Sequence, residues 1–195
     1  MAVYKNMAEI LKDGKVGKFS LSHFFINEND FYGHYRQGIP CGKYVRLTDG
    51  WDCVMSDTPM EKRTNMDFCV NAHGKVLIGG LGIGLILLAI QDKEDVSHIT
   101  VVEKHAEVIE LIKDQLPLNS KVEIVHADVF EYKPLFKYNT IYMDIWSNIN
   151  SEIYEEEMKP LIKRYRRYLV SKQEDENRYI DCWAKYQAKH NMNLY

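Results

Sequence analysis

Between residues 75 and 146 the chain repeats one hydrophobic rhythm. A short β-branched or aliphatic run is followed by a polar or glycine-rich turn and then by apolar residues at helical spacing. Residues 75–78 and 98–103 read as strands, and 106–112 has helical periodicity. Residues 122–126 and 140–146 are two further β-favouring runs. Strands alternating with helices in this way predict a parallel sheet built from βα units, with strand order 3-2-1-4. Upstream, 43–47 and 51–55 alternate around Thr48-Asp49-Gly50, an Asp-Gly hairpin signal. A helix is predicted from Pro59 to about Ala72, with Thr58 as N-cap, Pro59 in the first position and Glu61 closing a capping box. Met60, Met66, Cys69 and Val70 are its expected core face, and Gly74 its stop.

The flanks are less regular. Residues 7–11 form a short helix in this reading, ended by Gly14 and Gly17. The stretch 19–44 is rich in aromatics and turn residues, and reads either as a pocket lining or as an irregular layer packed on the main sheet. Residues 152–192 read as two helices. The first carries Ile153, Met158, Leu161, Ile162 and Tyr165; the second carries Tyr179, Ile180, Cys182, Trp183 and Tyr186 and packs on the sheet edge or on another subunit. Leu169-Val170 is the one short strand candidate between them. The resulting division is an extension with a β-hairpin (1–58), a Rossmann-like core (59–150) and C-terminal helices (151–195).

Composition narrows the field. With 195 residues, 46% hydrophobic and 27% charged, the chain has the make-up of a globular domain, and its net charge of −3 carries no general polyanion-binding signature. The basic cluster Lys163, Arg164, Arg166, Arg167 is offset by Glu155, Glu156 and Glu157, so nucleic acid is not an expected partner. The N-terminus lacks an apolar signal core and no run is long enough to span a bilayer, which predicts a cytoplasmic protein. Cys41, Cys53, Cys69 and Cys182 are widely spaced, as free thiols are, and no metal site is expected from the scattered histidines.

The candidate chemistry gathers at the strand ends. Gly79, Gly80, Leu81, Gly82 and Gly84 form a tight turn between the first strand and the next helix, where positive φ and close backbone approach to a ligand call for glycine. Such a turn also occurs for packing reasons alone. The third glycine of a dinucleotide loop is replaced by Leu85, which makes NAD the weaker ligand. Glu103, about 20 residues on at the end of the second strand and followed by Lys104, is placed to accept ribose hydroxyls. Asp128-Val129 follows the third strand and Asp144 the fourth.

These motifs, in this order, resemble the class I S-adenosylmethionine-dependent methyltransferases, and in wording the spermidine synthase-like branch and small methyltransferase-like proteins of phage and bacterial genomes. Ile78 stands at the apolar place that branch has in its first motif, and a hairpin and helix precede the first strand as they do there. The chain departs from the branch at Ile83, where an acid is usual, and at Asp144-Ile145-Trp146-Ser147-Asn148. The resemblance implies an α/β Rossmann-like class I methyltransferase fold, here truncated at its C-terminal strands, with S-adenosylmethionine as cofactor. It implies that Gly79, Gly80, Leu81, Gly82, Gly84, Glu103, Lys104, Asp128, Val129 and Asp144 hold that cofactor, with Asp128 on the adenine amino group. Asp144 is the candidate base, or the group that holds the acceptor, and Asp57, Glu61, Trp146 and Asn148 are candidate neighbours. Methyl transfer to an unidentified acceptor is the leading activity. Aminopropyl transfer, or a non-catalytic nucleotide-binding or assembly role with a homo-oligomer formed through the C-terminal helices, are the alternatives.

Overall fold

The computed structural model describes residues 4–194 and contains two sheets. The core is a five-stranded parallel sheet. In chain order its strands are the fifth to ninth of the molecule: β5 (Gly74–Gly79), β6 (Val96–Glu103), β7 (Val122–His126), β8 (Thr140–Met143) and β9 (Tyr179–Cys182), arranged β7-β6-β5-β8-β9. The first four follow the order expected from the βα rhythm. Val76, Leu77 and Ile78 of β5 and Ile99, Val101 and Val102 of β6 are all buried, as strands covered on both faces must be.

β9 corrects the reading of the tail. Residues 179–182 form a strand parallel to β8, with Thr140 opposite Tyr179 and Met143 opposite Cys182. Only a short helix follows, Lys185–His190. The helical spacing of Tyr179, Ile180, Cys182 and Trp183 is overridden because β8 presents an unpaired row of backbone groups, and the Tyr179 and Trp183 amides bond to the carbonyls of Asn139 and Met143. The sheet therefore reaches a fifth strand and stops there, with no closing hairpin among the described residues. Leu169 forms a lone bridge to Tyr138.

The N-terminal segment is also more ordered than its sequence implies. Besides the expected hairpin, β3 (Gly42–Asp49) and β4 (Asp52–Ser56) turning at Gly50, it contains β1 (Gly14–Val16) and β2 (Phe19–Ile26), giving a four-stranded antiparallel sheet, β1-β2-β3-β4. β2 escapes a sequence reading because its aromatics sit on both faces. Full-length pairing with β3, from Phe19 opposite Asp49 to Ile26 opposite Gly42, is what makes it a strand. A π-helical turn, Phe31–Arg36, follows it.

After α1 (Met7–Ile10), the helix predicted for 59–72 is two short ones, α2 (Pro59–Thr64) and α3 (Met66–Asn71), meeting at Asn65. The capping box does not form. The Thr58 hydroxyl pairs with Ser56 instead, at 3.0 Å, and the Glu61 side chain is buried. Phe68 and Cys69 face the core while Val70 is exposed, so the break at Asn65 has turned the apolar face from the one expected. The Lys93 ammonium bonds the carbonyls of Cys69, Val70 and Ala72 at the end of α3, where a cation complements the helix dipole.

Candidate functional site

The carboxyl ends of β5, β6 and β8, the loop after β7 and the edge of the N-terminal sheet enclose one cavity of about 340 Å³. It lies where an open α/β sheet binds its ligands, outside the strand ends. One wall is the glycine turn. Gly80, Gly82 and Gly84 have φ of +94°, +50° and +78°, conformations that side chains resist. At Gly80 a β-carbon would also strike the backbone carbonyl of Asp144, whereas at Gly82 it would meet the Met55 sulfur. The turn leads into α4 (Leu85–Ile90), whose buried aliphatic residues anchor it under the sheet.

Glu103 ends β6 and ties two walls together. One carboxylate oxygen accepts from the Leu81 amide at 2.9 Å and the other from the His105 amide at 2.8 Å. The side chain is buried yet borders the cavity, so it holds the glycine turn and keeps lone pairs for a ligand. Next to it, Asp128 accepts from the Phe130 amide at 2.9 Å and pairs with the Lys104 ammonium at 2.9 Å. Partial burial pushes the Asp128 carboxyl up, but Lys104 and the Phe130 amide outweigh this and hold it below the usual carboxylate range. The adjacent Val129 is fixed from behind by the Tyr165 hydroxyl, which donates to its carbonyl at 2.8 Å.

The cavity has a second group of acids. Asp144, just beyond β8, is half-buried and borders the cavity, and desolvation raises its carboxyl to about 7 although the Asn65 side chain pulls the other way. Asn65 is completely buried, and its side-chain oxygen accepts from the Tyr142 hydroxyl at 2.9 Å, which orients the amide. Tyr142 is itself held flat on Phe68, the two rings 4.2 Å apart and 8° from parallel. Glu61 faces the same space from α2, and burial followed by the charge of Asp144 lifts it to about 8. Trp146, whose indole donates to Glu157 at 2.7 Å, and Trp183 border the cavity as well.

Of the ten residues named from the sequence, Gly80, Gly82, Glu103, Lys104, Asp128, Val129 and Asp144 border the cavity together. Gly79, Leu81 and Gly84 do not. A β-carbon on Gly79 would meet the Met143 sulfur and one on Gly84 the side chain of Leu116, so these glycines serve close packing. Among the named neighbours Glu61 and Trp146 border it. Asp57 instead accepts from the Val45 amide at 2.8 Å, locking β3, and Asn148 is exposed outside it. Of the stretch 19–44, one reading of which is a pocket lining, Phe19 borders the cavity; sequence reasoning missed Leu47, Val54 and Met55 of the N-terminal sheet, and Glu157 and Trp183 from the C-terminal segment. No local motif marks them, because only the stacking of the two sheets and the pairing of β9 bring them here.

No family model matches the sequence, and no curated protein matches it. Among solved structures, the chain is similar to the spermidine synthase of Thermotoga maritima at 19% identity, over 81% of this chain and 53% of that one, with a TM-score of 0.53. It also matches the N-methyltransferase NodS of Bradyrhizobium japonicum WM9 at 14% identity, over 58% of this chain and 65% of that one, with a TM-score of 0.45. A third match is DhpI in its complex with SAH, at 16% identity, over 56% and 52% of the two chains, with a TM-score of 0.44. The chain spans less than two thirds of the length of each of these structures. The first similarity shows the fold: a Rossmann-like α/β sheet. No helix among the described residues is long and apolar enough to cross a membrane.

Proposed function

We propose that this protein binds S-adenosylmethionine in the cavity and transfers its methyl group to an acceptor held beside Glu61 and Asp144. One observation carries the reading: a single carboxylate, Glu103, grips the amide of the glycine turn while facing the cavity, and the turn, Glu103 and Asp128 make one continuous wall. The volume, about 340 Å³, lies within the range for small-ligand sites. The residues present fit the cofactor chemically. A bare backbone turn suits a polar amino-acid tail, Glu103 suits a ribose diol, and Asp128 with the flanking Val129 and Phe130 suits an adenine edge and face.

The bound sulfonium supplies an already activated methyl group, so the protein's main task is alignment of donor and acceptor. The glycine turn, Glu103 and Asp128 bind and orient. Phe19, Val54 and Met55 of the N-terminal sheet exclude water from one side. Asp144, raised to about 7, is matched to taking a proton near neutral pH and borders the cavity with Glu61. Asn65 and Tyr142 keep its surroundings fixed.

The test is calorimetric titration with S-adenosylmethionine, its demethylated product, decarboxylated S-adenosylmethionine and NAD, followed by turnover of methyl-labelled donor. Preference for S-adenosylmethionine and release of labelled product support the reading. Preference for the decarboxylated form replaces it with aminopropyl transfer, binding without turnover on a broad acceptor panel leaves a nucleotide-binding protein, and preference for NAD removes the cofactor assignment.

A further inference from the structure

We infer that His73, Asp175 and Asn139 form a proton-dependent latch, which fastens residues 171–178, and through them β9 and the Trp183 wall of the cavity, to the amino-terminal edge of the parallel sheet. The latch lies away from the cavity and does not depend on the transferase reading.

The three residues stand just ahead of three strands: His73 precedes β5, Asn139 precedes β8 and Asp175 comes four residues before β9. One Asp175 oxygen, Oδ2, meets the His73 ring at Nε2 (2.7 Å) and accepts from the Asn139 side-chain amide (2.8 Å), while the other accepts from the Asn177 amide at 2.9 Å. The Asn139 amide is oriented by the Lys75 backbone, whose N–H donates to its oxygen at 3.0 Å. The His73 backbone is held as firmly. The Thr140 hydroxyl accepts from its amide at 3.1 Å and donates to its carbonyl at 3.0 Å. The core half of the latch is therefore fixed, whereas the tail half hangs on one side chain. Lys172, Gln173, Glu174, Glu176 and Asn177 are exposed, and the other side-chain hydrogen bonds of 171–178 run within that segment or to the adjoining Val170.

His73 makes the latch conditional. Its second ring nitrogen, Nδ1, lies 2.7 Å from the Asn71 carbonyl oxygen, so both nitrogens face acceptors that have no proton to give. Only the imidazolium carries two N–H groups. Either neutral tautomer sets a nitrogen lone pair against an oxygen, which turns one of the two contacts from attractive to repulsive. The charges around the ring favour the imidazolium. Partial burial pulls His73 down, but the Asn71 carbonyl, Asp175 from the tail and Asp95 from the turn before β6 outweigh it and hold the ring above the ordinary histidine value. Lys93, at the same end of α3, is engaged with the carbonyls of Cys69, Val70 and Ala72 and lies 3.9 Å from Asp95. The latch is thus closed in and below the ordinary histidine range, and it loosens as pH rises through the raised value.

β9 carries the effect across the sheet. It begins beside the latch, where Tyr179 pairs with Thr140, and ends where Cys182 pairs with Met143; the next residue, Trp183, borders the cavity. A strand this short, released at its start, opens as a unit. A cavity wall therefore responds to pH through a group outside the cavity.

The test is amide hydrogen exchange by NMR on the full chain between pH 6 and 9, read as protection factors so that the intrinsic pH dependence of exchange is removed. The Tyr179 and Trp183 amides, which bond to the carbonyls of Asn139 and Met143, report on β9, and the amides of β5 and β6 are the internal reference. Relative to that reference, β9 protection should fall by about tenfold or more as pH rises, the effect of losing a hydrogen bond to a charged group. Nitrogen shifts of the His73 ring should show protons on both nitrogens at pH 6. His73→Gln, which can donate but cannot titrate, should abolish the difference between β9 and the reference, and Asp175→Asn should abolish it as well. A difference that persists in His73→Gln overturns the latch. So does β9 protection that follows β5 and β6 at every pH, or a ring nitrogen without a proton at pH 6 in the unmodified protein, and both of these decide the matter even if neither variant folds.

Discussion

A β-carbon built on Gly80 would stand 2.2 Å from the backbone carbonyl oxygen of Asp144, so the glycine turn and the end of β8 are in direct backbone contact. The contact joins the two halves of the candidate site: the Gly80 amide bonds to Val102 on β6, while the Asp144 amide bonds to Gly79 on β5. A shift of either chain moves the other.

Gly80→Ala should therefore be damaging in two ways, through strain at φ +94° and through collision with a backbone atom that cannot turn aside. We expect a loss of about 3 kcal/mol or more in chemical denaturation, together with loss of cofactor binding. Gly82→Val strains the same turn, but its neighbour is the flexible end of Met55, so a folded protein that no longer binds the cofactor is the expected result. Circular dichroism with a binding titration separates the two, and unchanged affinity in the Gly82 variant would move the ligand away from the turn.

Glu103→Ala removes the acceptor for two amides at once. S-adenosylmethionine affinity should fall by about 1–3 kcal/mol, the range for lost hydrogen bonds to a charged group. Calorimetry that finds no change would separate Glu103 from the donor.

Asp144→Asn keeps the shape of the side chain and removes its basicity. If Asp144 takes the acceptor's proton, turnover should drop by about 10²-fold or more with cofactor affinity intact. The rise of kcat/KM through about pH 7, set by the Asp144 carboxyl in the parent protein, should vanish. Among the described residues the Asp144 carboxyl accepts no hydrogen bond from Ser147 or Asn148, so a role as a turn cap does not predict the same result. A variant with near-normal turnover would remove Asp144 from the chemistry.

Stability should also depend on pH through this pair. Burial raises the folded-state values of Asp144 and Glu61 to about 7 and about 8, above the ordinary 3.8 and 4.5. The folded state thus binds their protons more tightly than the unfolded chain does, and their favourable contribution is complete below about pH 4 and lost as pH rises through 7 and 8. His73 acts in the same direction: partial burial lowers it, but bonds to the Asn71 carbonyl and Asp175 raise it overall, so its contribution fades as pH climbs above its ordinary range. Melting temperature should decline between pH 6 and 9 in the ligand-free protein. The double variant Glu61→Gln, Asp144→Asn should flatten that decline, and an unchanged slope would show that neither acid is desolvated.

Truncation after Ser171 removes β9 and Trp183, whose indole donates to the Thr64 hydroxyl at 3.0 Å. It uncovers the edge of β8 and one end of the cavity together, so the shortened protein should aggregate or lose cooperative unfolding. A soluble, cooperatively folding product would show that the sheet needs only four strands.

What the sequence determined by itself is whatever depends on near neighbours in the chain. The βα rhythm places Val76, Ile99, Ile124 and Ile141 in strands, the Asp49-Gly50 pair makes a hairpin, and positive φ demands glycine at 80, 82 and 84. Because ligands of such sheets lie at the strand ends, Glu103, Asp128 and Asp144 could be placed at one cavity without coordinates. Tertiary structure alone decided the rest. Residues 19–26 and 179–182 are strands only because β3 and β8 offer them backbone partners, which no local periodicity records. Glu61 had the spacing of a capping residue, yet the Thr58 hydroxyl turned to Ser56 and α2 presents the glutamate to the cavity. A carboxyl group's partners, and hence its proton affinity, are set by groups distant in sequence: Asp144 lies 83 residues from Glu61 and 79 from Asn65, and only folding brings the three together.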